Sequence, residues 1–248
     1  MIGMPDPTEV LRAEPTYSCC KAYKKVLRFR ITLQDVVPVV WRQIEVPDCY
    51  TFWDLHIAIT DAFGWLDYHL HEFNIPDPKT GKPLRLGSPD EEGFAEMDER
   101  TPVKPDWTRK LSSLFSAKNH KAIHSYDFGD GWEHLVELET ILPREKGVAY
   151  PRCQCGEGAC PPDDCGGPGG YMELLKAIGN PRHKEHKQMV NWLQGMKGAG
   201  FDPKKPFDPS SVQFDDPAKR WKIAFDGEEL TPDMRCWDFF KKQGEGPE

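Results

Sequence analysis

The sequence predicts an α+β fold, a single main domain built on an antiparallel sheet with helices packed against it. Three observations lead there. Period-two apolar runs, the mark of strands with one buried face, occur on both sides of a capped helical segment within the first 142 residues. Four of the runs form two pairs joined by short turn signals, as in hairpins, and the longer helical stripes return after residue 170.

The first strand is read from Leu27, Phe29, Ile31 and Leu33 alternating with Arg28, Arg30 and Thr32; Val40 to Val46 is its hairpin partner, with Asp35 to Pro38 as the connection. Thr51 is an N-cap hydroxyl with an acid, Asp54, three residues later. Phe52, Leu55, Ile59, Ala62 and Phe63 then follow at helical spacing until Gly64 ends the helix. Tyr68 to Ile75 reads as the next strand, placing His69, His71, Phe73 and Ile75 on one face. Residues 76–106 are loop-rich in proline and glycine, and a short helix is expected at Thr108 to Phe115. A second hairpin follows, with strands near Ala122 to Phe128 and Trp132 to Leu142. Residues 151–170 hold too many breakers for regular structure, and helices fit Tyr171 to Ile178 and Lys184 to Met196. A last helix is expected at Pro232 to Lys242. The domain is expected over residues 23–215, between a flexible N-terminal extension (1–22) and a C-terminal extension (216–248).

Composition narrows the function classes. The 248 residues, 38% hydrophobic with eight tryptophans, can bury a substantial core. The formal net charge of −8 disfavours nucleic acid as a partner, because a phosphate-tracking surface would have to be local. Neither a run long and apolar enough to span a bilayer nor a signal-peptide pattern is present, so no membrane partner and a cytoplasmic location are expected. In that compartment the eight cysteines read as reduced thiols or metal ligands rather than disulfides.

Two groups of residues carry candidate chemistry. His69 and His71, two apart on one strand face and about 6–7 Å apart at Cα, could ligate one ion jointly with His134, while Asp127 or Asp130 serves as base or orienter. Hydrogen-bonded structural histidines and turn-forming acids are the plainer reading of the same residues. Cys153, Cys155, Cys160 and Cys165 offer four thiolates within 13 residues, a set that could close a tetrahedral zinc site, or else be reduced structural cysteines or a redox pair. Apart from this candidate zinc no cofactor is implied. Serine-hydrolase elbow, phosphate-loop, zinc-protease and dinucleotide-binding signatures are all missing.

Six ordered blocks are more specific than any of these. They are Val39-Val40-Trp41-Arg42, Thr51 to His56, Phe63-Gly64-Trp65, His69 to Phe73, Tyr126 to His134 and Ala159 to Gly167. Together they resemble the plasmid pRiA4b Orf-three-like domain over roughly residues 24–215. The resemblance implies an α+β fold of unassigned biochemical role; members are also labelled insertion-element passenger proteins, a genetic neighbourhood that implies no recombinase chemistry. The expected function is therefore a binding or interaction module, with an unknown protein or small molecule as partner, possible zinc binding and no catalysis of its own. The alternative is a metal-dependent hydrolase using His69, His71 and His134.

Overall fold

A computed structural model describes residues 22–88, 102–195 and 201–225, with Thr231 and Met234. The N-terminal extension (1–22) and the helix expected at 232–242 fall almost entirely outside these residues.

The fold is α+β, as expected. Eight strands, β1 (Lys25–Leu33), β2 (Val40–Pro47), β3 (His71–Pro76), β4 (Pro83–Gly87), β5 (Lys104–Pro105), β6 (Lys121–Tyr126), β7 (Trp132–Pro143) and β8 (Arg152–Glu157), form one sheet in the order β5-β4-β3-β6-β7-β1-β2-β8. Every pairing is antiparallel except the short β4–β5 contact. Among the described residues five α-helices accompany it: α1 (Phe52–Phe63), α2 (Leu111–Leu114), α3 (Gly167–Gly179), α4 (His186–Leu193) and α5 (Pro217–Phe225).

Helix α1 organises the interior. Thr51 and Asp54 form the anticipated capping box, and Gly64 closes the helix in the left-handed region. All twelve of its residues are buried. The reason is a second layer that the sequence reading lacked. Phe52, Leu55, Ile59 and Phe63 pack on the sheet, against residues such as Phe29, Ile44, Phe73 and Val136, while Trp53 and Ile57 meet Trp107, Trp221 and Phe225 on the far side. A helix covered on both sides must bury its polar residues too, and each then needs partners inside the protein.

Several elements depart from expectation. Strand β3 begins at His71, so His69 lies in the connection before it. The segment read as too broken for structure contains β8, because Cys153 and Cys155 can extend an edge strand along β2; α3 also starts at Gly167, ahead of the expected Tyr171. Leu84, Arg85 and Leu86 alternate as β4 between bracketing Pro83 and Gly87, inside what reads as loop. Helix α5, beyond the expected domain end, inserts Trp221 and Arg220 into the interior.

Candidate metal centre

Two sets of polar residues meet on either side of the connection 64–70, which links α1 to β3. The side chains of the inner set are buried or nearly so. His56 Nε2 lies 2.7 Å from Asp67 Oδ1 and His56 Nδ1 lies 3.0 Å from His124 Nε2, while His124 Nδ1 lies 3.2 Å from His134 Nδ1. The tautomers follow from one end. Asp67 is an ionised acceptor, because it also receives Arg220 at 2.6 Å, so His56 must donate from Nε2 and accept at Nδ1. His124 then donates from Nε2 and accepts at Nδ1, and His134 donates from Nδ1, which also lies 3.3 Å from the His124 carbonyl oxygen. His134 Nε2 is left as a buried lone pair without a partner among the described residues.

Protonation would break this directional chain. Burial, then the nearby His71 imidazole, lowers the pKa of His56 to about 4; burial lowers that of His134 to about 3 and pulls that of His124 well below its ordinary value. Burial works against an ionised Asp67, but His56 and Arg220 overcome it and hold the carboxyl below its usual range. Arg220 extends the network to Asp215 at 3.0 Å, whose backbone N–H donates to Asp61 on α1. His71 stacks on His56 with ring centroids 3.3 Å apart and pairs with Asp106 at 2.7 Å. Asp67 adopts a positive φ of 58° and is clamped from two sides, so the network fixes the backbone two residues before His69.

The outer set lies at the rim. His69 Nε2 is 3.4 Å from Asp127 Oδ2 and 3.3 Å from Asp164 Oδ1, and the three donor atoms all lie within 4.8 Å of one another. The imidazole nitrogen makes no hydrogen bond to either carboxylate despite the short separations. Ligands that share an ion through bonds of about 2.1 Å stand about 3.0–3.4 Å apart at octahedral or tetrahedral angles. The His69 separations fall in that range.

The second oxygen of each carboxylate is occupied elsewhere. Asp127 Oδ1 accepts from the backbone N–H groups of Gly129 and Asp130 in the β6–β7 turn, and Asp164 Oδ2 accepts from the Tyr68 hydroxyl at 2.9 Å. Such outer bonds orient a ligating carboxylate and leave the remaining oxygen to face the ion. Asp130 ties the two loops together by accepting from Gly166 N–H. The turn and the proline-aspartate loop meet so closely that a Cβ at Gly167 would strike the Asp130 carbonyl oxygen. The Tyr126 hydroxyl is buried nearby; burial, then the carboxylates of Asp67 and Asp163, raises its pKa.

The residues singled out from sequence are thus divided. His69 and Asp127 come together, and Asp130 stands beside them as a loop tie. His71 turns to Asp106 and His134 to His124 within the buried network, so the three histidines expected as one ligand set are divided between that network and the rim, where His69 stands. Among the described residues the four cysteine thiols contribute to no group of three donors within reach of one ion. Cys153 and Cys155 lie on β8, Cys155 exposed with its thiol near Gln43, and burial pushes the Cys153 and Cys165 thiols up to about 11 and about 12. Sequence reasoning missed Asp164, His56, His124, Asp67 and Arg220. The acid pair Asp163-Asp164 after two prolines was a usable signal for the first, and the helix's burial on all sides is what gives His56 its role.

A largely antiparallel eight-stranded sheet packed on a buried helix, carrying a histidine–aspartate cluster between two loops, defines the class. The chain belongs to the plasmid pRiA4b ORF-3-like protein family, whose sequence profile matches residues 25–214. It is 35% identical over 168 residues to the uncharacterized protein y4hQ of Sinorhizobium fredii, covering 67% of this chain and 80% of that one. The crystal structure of the protein of unknown function MM3350 from Methanosarcina mazei Go1 superposes with a TM-score of 0.70 at 40% identity, covering 78% of this chain and all of that one. No helix among the described residues is long and apolar enough to cross a membrane.

Proposed function

We propose that the protein is a cytoplasmic binding module that holds one divalent cation at His69 Nε2, Asp127 Oδ2 and Asp164 Oδ1. The observation that carries this reading is the convergence of one imidazole and two carboxylates, from three separate segments, with both carboxylate oxygens at ligand-to-ligand distances from the imidazole nitrogen and all three donors within 4.8 Å of one another. One nitrogen and two oxygens suit zinc, manganese or ferrous iron better than a thiolate-seeking ion. Three protein ligands leave coordination positions for water or a bound partner. Leu70 and Phe128, 63% and 59% exposed, flank the donors and offer apolar contact to such a partner.

Metal content of the purified full chain, followed by titration with Zn²⁺ and Mn²⁺, tests the proposal. His69→Ala and Asp127→Asn are expected to abolish stoichiometric binding, and Cys160→Ala to preserve it. Binding lost with Cys160→Ala and kept in the other two would move the ion to the cysteine loop, and a wild-type chain that binds no ion would refute both sites. The open coordination positions also support hydrolysis at the ion as the second reading. Metal-dependent turnover of an activated ester that disappears in folded Asp127→Asn would establish it.

A further inference from the structure

A cavity of about 280 Å³ lies between α3 and α4. Leu174, Met189 and Trp192 form its apolar walls, while Asp164, Glu173 and Glu185 stand at its edge. Among the described residues no lysine or arginine lines it. Lys176 and Lys184 pair with Glu173 and Glu185 from outside, but on side chains so exposed that these pairs are weak and easily exchanged. An indole beside three carboxylates is complementary to a cation that carries its own apolar body.

We propose that this cavity binds a small organic ammonium ion with an apolar tail, of about the size of phenethylamine. The tail lies against Trp192, Met189 and Leu174, and the ammonium group faces the carboxylates. Met189 suits such a site because its unbranched thioether adapts to the shape of what it covers. Asp164 belongs to both places: it lines the cavity and its Oδ1 faces His69. Ammonium ligand and metal ion therefore share one carboxylate, and like charges on it repel, so each weakens the other's binding by the same factor. That antagonism rests on the proposed metal site; the occupancy of the cavity does not.

Calorimetric titration of the metal-free full chain with phenethylamine, and with neutral 2-phenylethanol as its isostere, tests the cavity. Saturable binding of one amine is expected, with the alcohol weaker by roughly five-fold or more. Glu173→Gln with Glu185→Gln should weaken the amine about two- to five-fold per carboxylate and leave the alcohol unchanged. Trp192→Leu should weaken the amine by roughly five- to thirty-fold. Equal binding of amine and alcohol, binding indifferent to Trp192→Leu, or no saturable binding would overturn the assignment. Repeating the amine titration with Mn²⁺ present separates the two claims. Weakened amine binding that is restored in Asp127→Asn supports the shared carboxylate, whereas amine binding indifferent to Mn²⁺ in a wild-type chain shown by direct titration to hold the ion would overturn the antagonism while the cavity and the metal site stand.

Discussion

Acid should unfold this protein early, because its interior holds three imidazoles that the native state keeps neutral. Below about pH 6.5 the unfolded chain protonates His56, His124 and His134 and the native chain does not. The native state then holds fewer protons, so stability falls as pH falls, and goes on falling until the medium reaches the native values of about 4 for His56 and about 3 for His134. At about 1.4 kcal/mol per pH unit per site, the step from pH 6.5 to 5 costs about 2 kcal/mol for each imidazole and about 6 kcal/mol for three. Asp54 acts in the opposite direction. Burial raises its pKa to about 7, so between pH 7 and 5 the native carboxyl takes up a proton that the unfolded one does not, returning about 3 kcal/mol. The net loss from pH 7 to 5 is about 3 kcal/mol, a large share of the roughly 5–15 kcal/mol that holds a domain together.

Urea unfolding followed by far-ultraviolet circular dichroism, repeated at half-unit intervals from pH 7.5 to 4.5, measures this directly. The free energy should drop by about 3 kcal/mol between pH 7 and 5, and His134→Met should flatten the slope by about one proton. Stability that is level or rising over that interval would refute the neutral chain. So would a His134→Met slope identical to that of the wild type.

Other expectations follow from single contacts. Asp67→Ala removes the carboxylate shared by His56 and Arg220 and should cost about 3–5 kcal/mol by chemical denaturation, since a buried cation loses a partner. Trp221→Ala empties the layer outside α1 and should cost about 3–5 kcal/mol in the same assay, showing that α5 is part of the folded unit. Gly167→Ala places a methyl group against the Asp130 carbonyl oxygen at a φ of +67°, so it should lower metal affinity by about ten-fold or more in a Mn²⁺ titration without melting the sheet. An affinity unchanged by Gly167→Ala would show that the two loops need not meet to form the site.

What the sequence discloses about this molecule depends on the range of the interaction that decides each element. Thr51, Asp54 and Gly64 act within one turn of helix, and the alternation in Leu27 to Leu33 within one strand, so both were legible. Strand β8 was not, because Cys153 and Cys155 become a strand only through pairing with Gln43 and Ile44, more than a hundred residues away. The candidate site shows the same division. His69 and Asp127 stand out as a histidine beside a strand and an acid in a turn, yet their companion Asp164 looks like any loop acid until Asp130 and Gly166 draw the two loops together. Placing His69 on a strand face with His71 was reasonable from period-two alternation alone. What moves it off that face is Asp67, held with φ positive between His56 and Arg220. Arg220 comes from a helix beyond the six recognisable blocks, and His56 from a helix whose second covering layer no local pattern reveals. The rim that collects possible ligands is thus positioned by a buried chain of imidazoles and charges whose members are scattered from residue 56 to residue 220. Only the folded chain brings them into one line, so the donors at the surface could be noticed one by one while the arrangement that aims them could not.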